Sequence, residues 1–102
     1  MARRRTELQN LLEETLRSQN VYFQPPPNLQ LKYPCIVYSR DRNWDIWADD
    51  KKYLFYKGYS MIYITKTPDD PRVDRLELLP MCSFDRYYVS DNLNHYAFTI
   101  YF

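Results

Sequence analysis

The sequence predicts an α+β fold: a single domain whose antiparallel or mixed sheet carries two helices. Three observations predict it. Leucines recur at helical spacing near the start, at Leu8, Leu11, Leu12 and Leu16. β-Branched and aromatic runs fill the middle and the end, as in CIVY at 35–38 and YSMIYIT at 59–65. A second, shorter apolar stripe, Val73, Leu76 and Leu79, separates those runs. Helix, strands, helix, strands in that order fits an α+β layout better than a regular alternation of the two. The 102 residues suffice for one modest core, and no repeat is visible, so one domain over 1–102 is expected.

Residues 1–20 hold the N-terminal helix. Over 6–18 the leucines take one face, while Glu7, Gln9, Glu13, Glu14 and Arg17 take the other. The basic cluster Arg3-Arg4-Arg5 ahead of it reads as a solvated helix start. A short strand follows at 21–24. Pro25, Pro26 and Pro27 forbid regular pairing, so 25–34 reads as a stiff, extended Pro-rich connector. Tyr33-Pro34 then opens a buried strand at 35–38.

The stretch 40–57, RDRNWDIWADDKKYLFYK, mixes charge with aromatics. Asp49-Asp50-Lys51 is its turn, and 44–47 and 52–56 form the two limbs of a protruding hairpin. In 59–65, Tyr59, Met61, Tyr63 and Thr65 share one face, and Ser60, Ile62 and Ile64 the other. Both faces are substantially apolar, which predicts a strand that is central or covered on both sides. Asp70 is a good N-cap and Pro71 suits a first helical position, with Pro80 ending that helix. Residues 83–89 read as a strand, SDNLN as a turn, and 95–102 as the last strand.

Composition narrows the function. The net charge is +1, with 14 basic and 13 acidic residues, which argues against a chain that lives mainly on phosphate backbones. Gly58 is the only glycine, so no glycine-rich phosphate loop exists. Cys35 and Cys82 form no CxxC or Cys/His cluster and read as buried free thiols in a reducing compartment. No apolar run approaches the ~18 residues of a membrane span, and no signal peptide is evident. His95, the only histidine, reads as structural, because no Ser or Cys stands at a recognisable nucleophile position. The pair Asp49-Asp50 reads as a turn before it reads as a cation site, and no metal or cofactor is expected.

The outlier is aromatic content: eleven tyrosines, five phenylalanines and two tryptophans, 18% of the chain. A core this small cannot hide them all, and exposed Tyr and Trp are enriched at interfaces. The hairpin is where they concentrate. Trp44, Ile46, Trp47, Tyr53, Phe55 and Tyr56 are the candidate contact residues, although some of them could simply complete the core. Arg40, Arg42, Asp49, Asp50 and Lys51 would set register and exclude wrong partners. The apolar end, with Phe102, needs cover either from its own sheet or from a neighbouring subunit. A small single-strand nucleic-acid module, stacking bases on this aromatic strip, is the reading from a different class; Asp41, Asp45, Asp49 and Asp50 weigh against it.

The segments VYFQPP, YPCIVY and LPMCSFDRYYVSDNLNHYAFTIYF carry a resemblance that spans almost the whole chain. The chain resembles small proteins of the head–tail region of long-tailed siphophages, labelled tail terminator, tail-completion or minor capsid proteins. Its most specific residues are Leu79-Pro80, Phe84-Asp85, Asp91 to His95, and Tyr101-Phe102. The layout is also similar to the lambda tail-terminator fold, with Tyr33-Pro34, the strand at 59–65, the helix from Asp70 and the final strand pair as counterparts. This chain is shorter around its second helix.

The resemblance implies a structural virion protein without enzyme activity, located at the head–tail junction and assembled in the host cytoplasm. It implies a homo-oligomer, a hexameric ring, that ends tail-tube polymerisation. Its partners would be the tail tube protein and the head-closure or connector protein, with DNA passing through the lumen, no specific nucleic-acid recognition and no membrane. A neighbouring head–tail joining protein without length control is the alternative.

Overall fold

The computed structural model describes residues 3–102. Its elements follow the order α1 (Arg5–Leu16), β1 (Val21–Phe23), β2 (Cys35–Arg40), β3 (Trp44–Ala48), β4 (Lys51–Tyr56), β5 (Gly58–Thr65), α2 (Pro71–Glu77), β6 (Cys82–Ser90) and β7 (Leu93–Tyr101). Five strands form one sheet in the order β1-β2-β5-β7-β6, and β3 and β4 form a separate two-stranded sheet. The main sheet is mixed: β1 runs parallel to β2, and all other neighbours are antiparallel. The fold is α+β with two helices.

Both helices pack on one face of the sheet. From α1, Leu8, Leu12 and Leu16 are buried and Leu11 is partly buried, as the leucine spacing predicts. From α2, Leu76 is buried and Val73 packs at the margin, joined by Leu79 just beyond the helix. They meet Ile36, Tyr38, Tyr59, Met61, Tyr63, Phe98 and Ile100 from the sheet. The strand β5 is the middle strand of five, as its two apolar faces predict; Tyr59, Met61, Tyr63 and Thr65 are buried on the helix side, while Ser60 and Ile62 on the other face are half-buried.

Several boundaries differ from the sequence reading, each for a local reason. The helix α1 stops at Leu16, short of 18 and of the 1–20 segment, because Arg17 turns left-handed (φ 57°) and its N–H bonds the Glu13 carbonyl. The helix α2 ends at Glu77 rather than at Pro80; the residue before a proline is pushed out of the helical region, and Leu79 N–H bonds back to Leu76. The Pro-rich connector is not extended throughout. It turns at Pro27-Asn28, where Leu29 N–H bonds the Pro26 carbonyl, and so brings β2 back parallel to β1. A cis bond joins Tyr33 and Pro34 ahead of β2. The β6–β7 turn is Asp91-Asn92 alone, both at positive φ, so β6 reaches Ser90 and β7 begins at Leu93.

The arginine cluster is not simply solvated. The Arg5 guanidinium donates to the Tyr38 hydroxyl at 2.9 Å and lies 4.6 Å from the Phe23 ring centroid. That of Arg3 sits 3.7 Å above the ring of Phe102, and the Arg3 N–H bonds the Phe102 carbonyl. The chain end is therefore covered by its own molecule. The last strand β7 lies between β5 and β6 and is not an edge, and Phe102 is only 4% exposed. Placing the Phe102 side chain at a subunit interface is thereby corrected: its ring belongs to the chain's own core.

Candidate functional site

The β3–β4 hairpin projects from the body as an arm, and the molecule measures 50 × 27 × 23 Å. Its turn is Asp49-Asp50, with φ of 52° and 60°, and Lys51 already belongs to β4. Two central residues at positive φ match a primed two-residue turn, which Asp tolerates better than most residues. Tyr53 is the extra residue of a bulge, since Ile46 faces Leu54 while Trp47 faces Lys52.

At the root of the arm stands Gly58. A Cβ there would lie 1.8 Å from the Arg42 carbonyl oxygen, so the backbone of the arm presses directly on the main sheet at a position only glycine can fill. Asp41 N–H bonds the Gly58 carbonyl, closing the junction. Trp44 completes it, packing on Tyr56 (5.6 Å) and edge-on to Tyr101 (5.8 Å).

The two faces of the arm differ. Trp44 and Ile46 lie opposite Tyr56 and Leu54 on one face. On the other, the Lys52 ammonium lies 5.4 Å from both the Trp47 and Phe55 rings and 3.4 Å from the Asp45 carboxylate. A cation shared between two rings and one carboxylate ties together that partly exposed face. Large apolar side chains nevertheless stay open: Trp44 is 46% exposed, Trp47 60% and Tyr53 71%. Ile46 is exposed too, whereas Phe55 and Tyr56 are half-buried.

The charged candidates divide. Asp49, Asp50 and Lys51 occupy the tip and Arg42 the root, all exposed. Arg40 is not part of the hairpin. It is the last residue of β2, paired with Tyr59, with its guanidinium on the side chain of Asn43. The protruding segment is therefore Trp44–Tyr56 and its two short links rather than all of 40–57.

The two thiols and the only histidine lie outside the arm, in β2, β6 and β7. Burial pushes the Cys35 thiol up to about 11 and the Cys82 thiol to about 12, the latter helped by Asp85 and Glu77, so both stay protonated at neutral pH. Both are free; Cys35 is buried as expected, but Cys82 is only half-buried at the start of β6. His95 stacks on Tyr88 at 4.8 Å, and its Nδ1 lies 3.0 Å from the Leu93 carbonyl. Among the described residues no three His, Cys, Asp or Glu side chains converge as a metal site would need. Shallow grooves flank α1, one of them lined by Asn10, Glu13, Glu14, Arg17, Ser18 and Gln19, where the Ser18 hydroxyl has no histidine beside it among the lining residues. Among the described residues no helix is long and apolar enough to cross a membrane.

Sequence reasoning missed Gly58 and Tyr101 as parts of this site. The signal for Gly58 was present: a lone glycine directly after an aromatic hairpin marks a close backbone approach. Tyr101 carries no such signal, because its contact with Trp44 spans 57 positions. Comparison of the chain with protein-family models, curated proteins and solved structures finds no match in any of the three.

Proposed function

We propose that this chain is a structural, non-enzymatic subunit of a phage head–tail junction, a tail terminator. Copies would form a ring, a hexamer, at the head-proximal end of the tail tube, ending tube polymerisation and offering a docking surface to the head connector. One observation carries this reading: a projecting arm that keeps Trp44, Trp47 and Tyr53 in water. Fully burying one such side chain against a partner contributes about 1.5–3 kcal/mol, so the arm is a strong contact held ready away from the body. Heterologous contacts of this kind close into a ring when the rotation between subunits allows. The element order, with a helix, a strand opening at Tyr33-Pro34, a long hairpin, a second helix and a final strand pair, supports the same reading.

Electron microscopy of lysates from a phage deleted for this gene tests it. Overlong tails beside tail-less heads are the expected result. Normal tails lying unattached beside filled heads would instead make it a joining protein, placed between tail and neck without length control. Intact, infectious particles would overturn both.

A further inference from the structure

A second unpartnered surface lies away from the arm. The nine-residue strand β6 is a free edge of the main sheet. The helix α2 touches this strand without covering it, and Phe84, Tyr87 and Val89 are 42%, 50% and 59% exposed. Natural edges are commonly guarded by lysine, proline or like charges that repel a second strand. This strand has no lysine and no proline, and its charged residues are Asp85 and Arg86, adjacent and of opposite sign. Neither has an ion-pair partner in its own chain: among the described residues the ion pairs are Lys52–Asp45 and Arg72–Asp70.

Asp85 is the extra residue of a bulge, between Phe84 opposite Phe98 and Arg86 opposite Ala97. Phe84 and Tyr87 therefore point to the helix side of the sheet, with Phe98 and Tyr96. Asp85 and Arg86 share the other side, where Asp85 accepts a hydrogen bond from Thr99 Oγ1 at 2.6 Å. Now set an antiparallel copy against this edge with Asp85 facing the second copy's Arg86. Phe84 then faces the second copy's Tyr87, Ser83 its Tyr88, and Cys82 its Val89. Every pair meets on the same face of the sheet. On an unbulged strand this register would put opposed side chains on opposite faces, because the side-chain period is two. The bulge, which usually spoils an edge, makes this one complementary to itself.

We propose that β6 pairs antiparallel with β6 of a second copy, about a two-fold axis between Asp85 and Arg86, joining two five-stranded sheets into one. The ladder and the two Phe84–Tyr87 pairs supply the affinity, and the two reciprocal Asp85–Arg86 pairs select the register. Such a contact is isologous and closes on itself, so it is distinct from the head-to-tail contacts of a ring and does not use the arm.

Sedimentation equilibrium of the purified chain over about 1–100 μM tests this. The wild type, away from the tail tube on which the proposed ring assembles, is expected to be dimeric. Asp85→Arg puts two arginines opposite two arginines, and Arg86→Asp two aspartates opposite two, so each variant alone is expected to be monomeric. Mixed in equal amounts they form only opposite-sign pairs and regain the dimer, as does the double variant Asp85→Arg/Arg86→Asp on its own. Trp44→Ala/Trp47→Ala leaves the dimer intact. A monomeric wild type, single variants as dimeric as the wild type, failure of both the mixture and the double variant to restore the dimer, or its loss in the arm variant would each overturn the proposal. Should one single variant fail to fold, the other decides, since it alone must be monomeric.

Discussion

Trp44 and Tyr101, 57 residues apart in sequence, meet edge to face at 5.8 Å and join the root of the arm to the last strand of the core. Trp47, three residues further on, is 60% exposed and has the Lys52 ammonium at 5.4 Å. The two tryptophans therefore have different roles within one strand. Trp44→Ala is expected to cost about 1–3 kcal/mol of stability through lost packing, and Trp47→Ala about 0.5 kcal/mol or less. Urea unfolding measures both. On the proposed role of the arm, both variants are expected to lose assembly, since both side chains would face a partner. Equal effects on stability would mean that the Trp44–Tyr101 contact does not anchor the arm.

Gly58 gives a sharper test of the same junction. Gly58→Ala drives a methyl group into the Arg42 carbonyl oxygen, a backbone atom that cannot swing aside. The substitution is expected to cost more than about 2 kcal/mol, well above the few tenths usual for an added methyl group on a surface. A thermal melt reads this directly. A melting temperature within about 2 °C of the wild type would show that the arm can lift off the sheet at little cost.

The carboxylate of Asp70 organises the end of β5 and the start of α2. It is buried, accepts from the Tyr63 hydroxyl at 2.7 Å, from Thr65 Oγ1 at 3.1 Å and from Arg72 N–H at 3.0 Å, and has Arg72 Nε at 3.5 Å. Burial by itself would raise its pKa, but these bonds to the charged form outweigh burial and leave it below the ordinary carboxylate range. The unfolded chain therefore takes up this proton first on acidification. Asp70 contributes stability that is full above the ordinary carboxylate value and is lost as pH falls through the lowered one. Asp70→Asn is expected to flatten that part of the stability–pH profile and to cost about 1–2 kcal/mol at neutral pH. An unchanged acid limb in denaturation curves taken from pH 7 downward would show that another group sets it.

Much of this was legible in the sequence, and what was not has common causes. The leucine period of α1, the two apolar faces of β5 and the Asp70-Pro71 start of α2 are local signals that packing then obeyed. The arm was legible because an aromatic hairpin with charged tips reads the same in isolation as in the fold. Three things were hidden. The turn at Pro27-Asn28 depends on β1 and β2 pairing in parallel, a long-range choice. Arg3 and Arg5 looked like solvated charge until Phe102 and Phe23 were brought beneath them. The surface of β6 could not be seen because its bulge arises only when Arg86, rather than Asp85, comes opposite Ala97.

Phe102 supplies the last test, since its ring is buried in the core cluster. Its N–H bonds the Lys57 carbonyl, its own carbonyl accepts from Arg3, and its ring is buried under the Arg3 guanidinium. The ring thus closes the core next to the point where the arm leaves the sheet. Phe102→Ala is expected to cost about 3–5 kcal/mol, the range for removing a buried phenylalanine, whereas Arg3→Ala is expected to cost about 0.5–1 kcal/mol, the range for an exposed cation over a ring. Chemical denaturation separates the two. A Phe102→Ala variant that is as stable as the wild type but unable to assemble would return this residue to the interface and leave the core complete without it. A variant that unfolds early, and assembles when cooled to where it is folded, fixes Phe102 as the plug of its own core and leaves the contacts between copies to the arm and the β6 edge.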